Sequence, residues 1–201
     1  AHIFDNFRVQ TPILLEFMEG LHEHCLTISQ AARKLAQLES TDKNLIQEAS
    51  VAGMIHDVGR LILASSFPKD YSKLLQDLAN SHEREFSKAE AAAFGASHQE
   101  TGAYLLAIWG LSNPVVEAIA YHHSPEESTV QGISPLFAVH VADCLIPPQP
   151  PKLLKLPPRP PIEPDAAFLA RLGLANKLPA WKASLGILNP QEPAQQENAS
   201  S

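Results

Sequence analysis

Apolar residues recur at steps of three and four along most of the chain, which is the spacing of amphipathic helices. The longest stripe, over residues 11–39, predicts one long helix with these apolar members: Leu14, Met18, Leu21, Cys25, Ile28, Ala32 and Leu35. A second long helix is predicted over residues 44–66 and carries Gly53 and Gly59. Because glycine weakens a helix by roughly 1 kcal/mol relative to alanine, two glycines indicate close packing, or an approaching ligand, on those faces.

Several shorter helices follow, and capping residues mark their ends. Gly95 is a natural C-cap and Ser97 a natural N-cap. Proline stands at the first helical position after Asn113 and after Ser134. The predicted helical segments are residues 69–82, 85–94, 98–109, 113–123 and 134–145, and helical patterning returns over 165–188. The chain shows no convincing strand pattern and no internal repeat, so we expect an all-α protein.

Proline divides the chain into regions. Nine of the seventeen prolines lie between residues 147 and 164, which predicts an extended crossover in the polyproline conformation. A surface linker is the favoured interpretation of this segment, and a ligand for a partner with an aromatic groove is the alternative. We therefore expect a helical core over residues 1–146, a helical extension packed on it over 165–188, and a disordered polar tail over 189–201.

Composition narrows the class of protein. The net charge of −7 disfavours broad contact with nucleic acid or an anionic membrane. No apolar run approaches the ~18 residues that cross a bilayer, and the N-terminus does not resemble a signal peptide. Two cysteines, Cys25 and Cys144, are too few for a disulfide scaffold, so we expect a reducing cytoplasm. The chain begins without methionine, and we expect it to be a fragment of a longer protein.

Candidate chemistry is centred on His56 and Asp57, which are adjacent inside the apolar segment 52–64. A buried imidazole and a buried carboxylate need a partner or a metal ion. Five more candidate ligands lie beside apolar stripes or at helix ends: His24, His98, His122, His123 and Asp143. Three of the other histidines lie on predicted polar faces, namely His2, His22 and His82. The position of His140, three residues before Asp143, is ambiguous. Glu100 and Tyr121 are near enough to support the ligands, although surface and core roles are favoured for them.

The predicted ligand set indicates a transition metal. Five imidazoles and two carboxylates suit iron or manganese, with zinc, cobalt and nickel as alternatives, whereas calcium and magnesium prefer oxygen ligands alone. Seven ligands are too many for one tetrahedral ion. They suit two ions about 3.5–4 Å apart, with Asp57 as a candidate bridge. The alternative is an all-α domain whose histidines belong to the core and bind no metal.

The order in which these histidines and aspartates follow one another along the chain resembles the motif order of the HD superfamily of metal-dependent phosphohydrolases. Four sequence segments resemble HDOD domains in particular. They are His24-Cys25, Ala52–Leu63 with its His56-Asp57 pair, Phe94–Trp109 and Ala118–His123. HDOD domains are signalling modules, often fused to receiver domains of two-component systems, and generally lack demonstrated catalysis. The HD-GYP phosphodiesterases of cyclic di-GMP are the competing branch. This chain departs from them because Ser124–Ser128 replaces the Gly-Tyr-Pro element and Arg60 replaces a lysine.

This resemblance implies an HD-type helical bundle, followed by the proline-rich crossover and a C-terminal helical hairpin, and it leaves two functional hypotheses open. In the first, a metal pair activates water for attack on a phosphoester or cyclic dinucleotide. Arg60 would then offset phosphoryl charge, and Asp57 or Asp143 would accept the proton. In the second, the module is catalytically silent and acts through protein contacts, with a structural or nucleotide-sensing site. Expected partners are a nucleotide or cyclic dinucleotide and a signalling protein or fused receiver domain.

Overall fold

The computed structural model describes residues 11–80 and 86–187, and over these ranges the chain forms helices and no strands. The α-helices in chain order are α1 Pro12–Glu39, α2 Lys43–Ile55, α3 Val58–Ser66, α4 Pro68–Asn80, α5 Phe86–Phe94, α6 His98–Ile108, α7 Asn113–Tyr121, α8 Pro135–Leu145, α9 Ala166–Arg171 and α10 Leu178–Ser184. Short 3₁₀ turns occupy Pro125–Glu127 and Lys152–Leu154. The prediction of an all-α fold is confirmed. No helix in the described residues is long and apolar enough to cross a membrane.

The predicted single helix over residues 44–66 is wrong, because the chain forms two helices that meet at His56 and Asp57. Asp57 leaves the helical region of backbone space, with φ −99° and ψ 14°. Neighbours on one continuous helix would point about 100° apart. The break at this turn removes that constraint and lets His56 and Asp57 face the same buried centre.

Side-chain caps fix the first turns of several helices, including α6, where the sequence predicts Ser97 as the cap. Thr11, Asp42 and Ser134 accept hydrogen bonds from backbone amides in the first turns of α1, α2 and α8. Ser97 and Glu100 form a reciprocal capping box at the start of α6. These caps satisfy amide groups that have no partner within the helix, and the box at α6 also fixes the position of His98.

Glycine allows two close helix crossings beside the candidate site. A Cβ on Gly59 would lie 1.9 Å from the carbonyl oxygen of His98, so α3 and α6 approach here with no room for a side chain. A Cβ on Gly53 would lie 2.8 Å from the carbonyl oxygen of Ile28 on α1. The two helix glycines therefore serve close packing.

Two apolar clusters support the bundle. The larger contains residues of α1, α2, α6, α7 and α8 together with Phe168 and Trp181 of the C-terminal helices. The smaller joins the first half of α1 to α3 and α4 around Phe17, Leu63 and Tyr71. The candidate metal ligands lie where the helices of these two clusters meet.

The proline-rich segment and the last two helices pack on this bundle. The amide of Ile162 donates to the carbonyl of Cys144, and the amide of Leu153 donates to Glu16 on α1. The Trp181 side chain of α10 is fully buried, and its Nε1 donates to Glu39 at 2.9 Å. The domain limits given above stay predictions, and the tail 189–201 lies outside the described residues.

Candidate metal centre

All seven candidate ligands lie around one region inside the bundle. His24 comes from α1, His56 and Asp57 from the α2–α3 turn, and His98 from the start of α6. His122 and His123 follow α7, and Asp143 lies on α8. The interior of the cluster is closed to solvent, since His56, Asp57, His98 and His122 are each at most 1% exposed. His123, whose side chain is 33% exposed, marks the side that faces solvent.

Asp57 is surrounded by imidazole nitrogens. Its Oδ1 lies 3.3 Å from His98 Nε2 and 3.8 Å from His122 Nε2, and its Oδ2 lies 3.5 Å from His56 Nε2. Two groups of potential ligands share this carboxylate, and the ligand atoms of each group lie within 4.8 Å of one another. One group is Asp57, His98, His122 and His123; the other is His24, His56 and Asp57. Asp57 is therefore the geometric link between two potential ion positions.

Asp143 is the second carboxylate of the cluster and lies near three of its histidines. Its Oδ1 is hydrogen-bonded to His24 Nε2 at 3.0 Å and lies 3.9 Å from His56 Nε2. Its Oδ2 lies 3.5 Å from His123 Nδ1. The two carboxylates and five imidazoles thus form one connected arrangement, although they come from five separate parts of the chain.

Hydrogen bonds made by the Nδ1 atoms of two histidines determine that their Nε2 atoms face the centre. Nδ1 of His56 and Nδ1 of His122 donate to the carbonyls of Gly53 and Ile119, both at 2.9 Å. A carbonyl oxygen only accepts, so each Nδ1 carries the proton and each Nε2 presents a lone pair inward. These two Nε2 atoms and that of His98 are buried and have no hydrogen-bond partner. Inward lone pairs without partners are the pattern that a metal ion satisfies.

The protonation states of the clustered side chains also favour the binding of a cation. Burial lowers the pKa of His56, an effect that the nearby Asp57 and Asp143 carboxylates only partly oppose. Burial, and then the neighbouring His123, lower the pKa of His122. Burial on its own would raise the pKa of Asp57, but Arg60 and the adjacent imidazoles outweigh it and hold this pKa well below its usual value. These shifts favour neutral His56 and His122 beside an ionised Asp57, the forms in which imidazole and carboxylate bind metals.

Glu90 is a functional candidate that sequence reasoning missed. This residue of α5 is fully buried, and its Oε2 accepts from His98 Nδ1 at 2.5 Å and from the His98 amide at 2.9 Å. Its Oε1 accepts from the Tyr71 hydroxyl at 2.7 Å. Glu90 therefore orients the His98 ring with Nε2 toward Asp57. The one available signal was a lone carboxylate between Ala89 and Ala91.

The remaining histidines play other roles. His140, ambiguous in the sequence, is buried; its Nδ1 donates to the His122 carbonyl at 2.8 Å, and its Nε2 accepts from the Asp165 amide at 2.9 Å. With both nitrogens occupied, it anchors the start of α9 to the turn that carries His122. His22 is exposed on α1, whereas His2 and His82 lie outside the described residues.

Arg60 borders the centre. Its Nε lies 3.0 Å from Asp57 Oδ1, its side chain is 5% exposed, and its guanidinium carbon lies 5.0 Å from the centroid of the Phe86 ring. A fixed cation beside Asp57 offsets negative charge at the centre, so the predicted catalytic pair of Asp57 and Arg60 is at least adjacent in space. Whether either residue takes part in a reaction stays a prediction.

The other neighbours of the ligands have structural roles. Cys25 and Cys144 are buried and free, and burial raises the pKa of the Cys25 thiol to about 12. Glu100 is exposed and completes the capping box of α6. Tyr121 is half-buried and packs against the larger apolar cluster. The prediction of a cytoplasmic location stays a prediction.

These observations define an all-α module with a buried cluster of histidines and two aspartates, and the comparisons identify its family. The chain belongs to the HDOD family, because the family model for the HDOD domain matches residues 1–125. A crystal structure of an HDOD domain protein of unknown function from Geobacter sulfurreducens has a TM-score of 0.59 and 23% sequence identity, covering 88% of this chain and 57% of that one. The MmoQ response regulator from Methylococcus capsulatus has a TM-score of 0.56 and 23% identity, covering 86% of this chain and 62% of that one.

An uncharacterised protein from Treponema pallidum is a further relative. It is 30% identical over 92 residues, which are 43% of this chain and 17% of that protein. The chain therefore spans about one sixth of the length of this relative and little more than half the length of the Geobacter structure. The likeness to the solved structures establishes the fold.

Proposed function

We propose that this chain is a signal-transduction module whose seven histidine and aspartate side chains bind a pair of divalent transition-metal ions and hydrolyse a phosphoester. The observation that carries the proposal is the set of buried Nε2 atoms of His56, His98 and His122, all without hydrogen-bond partners and all near Asp57. Leaving several such atoms unsatisfied in a core is costly, and metal ions would satisfy them together.

The donor chemistry suits iron or manganese in this proposal, with zinc, cobalt or nickel as substitutes. When bound, the ions supply Lewis acidity to a phosphoryl group and to the attacking water. Asp57 would hold both ions, because it belongs to both groups of potential ligands, and Arg60 stabilises its ionised form. Asp57 or Asp143 would accept the proton of the attacking water, and Asp143 lies 3.5 Å from the exposed His123.

The substrate class follows from charge and access. The buried Arg60 and two metal ions would favour an anionic phosphoester over a neutral ester. Nucleotides and cyclic dinucleotides are the substrates to test first, because the proposed module belongs to signalling and the MmoQ neighbour is a response regulator. A signalling protein or a receiver domain is the proposed macromolecular partner.

A catalytically silent module is the second candidate function, and the burial of the centre favours it. Four of the seven residues are at most 1% exposed, which restricts the approach of a substrate to the side of His123. The chain also has Ser124-Pro125 where the HD-GYP pattern requires its Gly-Tyr-Pro element. In this alternative the metal ions stabilise the fold, and the output is a protein contact.

Elemental analysis combined with a turnover screen tests the proposal. The purified protein, reconstituted with each of the five metals, is assayed with nucleotides, cyclic dinucleotides and a chromogenic phosphodiester. We expect about two ions per chain and turnover that is lost in His56→Ala. The matched control is His22→Ala, since His22 is an exposed histidine on the same helix as His24. Two bound ions without turnover of any substrate would favour the silent module, and absence of metal after reconstitution would contradict both.

A further inference from the structure

The C-terminal extension, formed by α9 and α10, contacts the stretch of chain that follows α7, residues 122–128, which we call the ligand turn. This turn carries two of the seven candidate ligands, His122 and His123, whereas none of the seven lies on the extension itself. Two separate contacts join the extension to the ligand turn, one at His122 and one across Pro125–Ser128. The extension is therefore placed to act on one part of the candidate metal centre.

The first contact passes through His140 of α8. Its Nδ1 donates to the His122 carbonyl at 2.8 Å, and its Nε2 accepts from the Asp165 amide at 2.9 Å. Asp165 also caps α9, since its carboxylate accepts from the Phe168 amide. The start of α9 is thus connected to the backbone of a candidate ligand through one buried imidazole.

The second contact is made by Arg171, the last residue of α9. Its Nη2 donates to the carbonyl oxygens of Pro125 and Ser128, at 3.1 and 3.0 Å. Its guanidinium carbon lies 5.3 Å from the centroid of the Phe168 ring, and the centroid of that ring lies 5.8 Å from that of His140. Because Phe168 is 1% exposed, one buried ring packs against both contacts and fixes their separation.

The ligand turn contributes to only one of the two groups of potential ligands, the group that Asp57 and His98 complete. The other group contains His24 of α1. The extension also reaches α1, where Trp181 Nε1 donates to Glu39, but that bond lies about four helical turns from His24. Displacement of the ligand turn would therefore change one ion position and leave the other in place.

We propose that Arg171 is a positioning residue for the proposed metal centre, and that the C-terminal extension thereby sets the affinity of the ion position at the ligand turn. The terminal NH₂ group of Arg171 has two hydrogens, so it holds both carbonyl oxygens at once. Ligands that are already in place bind an ion more tightly than ligands that must be ordered on binding. This inference rests on the proposed binding of two metal ions, and it assigns control of one ion to an element that contributes no ligand.

Titration of His24→Ala with manganese(II) isolates this ion position, because that variant keeps the group to which the ligand turn belongs. It is compared, by competition with a chelator of known affinity, with the double variant His24→Ala, Arg171→Met. Methionine keeps an unbranched side chain beside Phe168 but donates no hydrogen bond. We expect about tenfold weaker binding in the double variant, the lower end of the range for a lost partner of a ligating histidine, because Arg171 acts through the backbone.

Two further substitutions in the His24→Ala background distinguish positioning from loss of charge. Lys182→Met is the matched control, since Lys182 is a cation of α10 that pairs with Glu163, and it should leave the affinity unchanged. Arg171→Lys should recover part of the affinity, because an ammonium group can still donate to a carbonyl oxygen. Circular dichroism in the presence of chelator checks that each compared variant is folded.

Arg171→Met in the otherwise unmodified chain provides the second readout. A positioning role predicts that one of the two bound ions is weakened and the other is retained, whereas a general loss of packing would weaken both equally. Equal weakening of both ions, unchanged affinity in the folded double variant, or an equal loss in Lys182→Met would overturn the role of Arg171 even though the unmodified protein bound two ions. Absence of metal from the unmodified protein would overturn the metal centre and this inference together.

Discussion

Glu90 accepts two hydrogen bonds from His98, one from the ring Nδ1 and one from the backbone amide at the start of α6. The same carboxylate accepts from Tyr71 and is fully buried. Burial on its own would raise the pKa of Glu90, but the hydrogen bond and charge of His98 and the charge of Arg60 lower it. This arrangement fixes the His98 ring with Nε2 toward Asp57, so Glu90 is a positioning residue for the candidate metal centre.

Replacing Glu90 with glutamine should weaken metal binding while the fold is retained. Loss of a hydrogen-bonded partner of a ligating histidine typically costs about 10-fold to 100-fold in metal affinity. Competition with a chelator of known affinity measures the effect, and circular dichroism checks the fold. Glu100→Gln is the matched control, because Glu100 is an exposed carboxylate in the first turn of α6 and glutamine also serves in a capping box. Equal metal affinity in the two variants would remove the positioning role from Glu90.

Replacing Gly59 with alanine should destabilise the protein, because the new Cβ would lie 1.9 Å from the His98 carbonyl oxygen. Overpacking of this kind typically costs about 1–3 kcal/mol. Gly20→Ala is the opposite case, since a Cβ there meets nothing within 4 Å and alanine stabilises a helix by about 0.5–1 kcal/mol. Urea unfolding of both variants should give changes of opposite sign in the free energy of unfolding. A neutral Gly59→Ala would show that α3 and α6 do not approach this closely.

The helices of this protein differ in how well the sequence predicts them. The stripe from Leu14 to Leu35 and the caps Ser97 and Ser134 depend on neighbours within a few residues, so local pattern predicts these helices well. The break at His56 and Asp57 is different. No proline or side-chain cap in the sequence marks this break. We attribute it to tertiary contacts with α6 and α8, which local pattern does not reveal.

The candidate site likewise combines residues that the sequence predicts with residues whose roles depend on tertiary contacts. The seven candidate ligands could be named from the sequence because histidine and aspartate beside apolar stripes are unusual and follow the order of a known family. Glu90 was missed because its partner His98 is eight residues away, across a turn, and no periodicity links the two. The anchoring role of His140 depends on Asp165, which reaches it only after the proline-rich segment has crossed the bundle.

Protonation of His140 should make the stability of the protein depend on pH. Burial lowers the pKa of His140, while its bond to the His122 carbonyl and the Asp143, Asp165 and Glu126 carboxylates partly oppose this shift. The folded pKa is below the unfolded value of about 6.5, so the unfolded chain binds the proton more readily. The contribution of His140 is thus complete above about pH 6.5 and is lost as the pH falls toward the folded pKa.

Comparison with a variant isolates this contribution. His140→Gln keeps polar atoms at the site but does not titrate. The free energy of unfolding, measured in the presence of chelator at several pH values from 7.5 to 5, should fall more steeply for the unmodified protein than for His140→Gln. Parallel pH profiles for the two proteins would show that His140 is not held neutral by its contacts.

Ion counting in two single variants should distinguish a shared ligand from a peripheral one. Asp57 belongs to both groups of potential ligands, whereas His24 belongs to one. We therefore expect about two ions per chain in the unmodified protein, about one in His24→Ala, and almost none in Asp57→Asn. Elemental analysis after gel filtration gives the counts, and His22→Ala should keep the full complement because its ring lies on the exposed face of α1. The Asp57 variant must first be shown to fold, since its carboxylate also pairs with the buried Arg60. If folded Asp57→Asn retained one tightly bound ion, the aspartate would be a ligand of a single ion, and the bridged pair would be wrong.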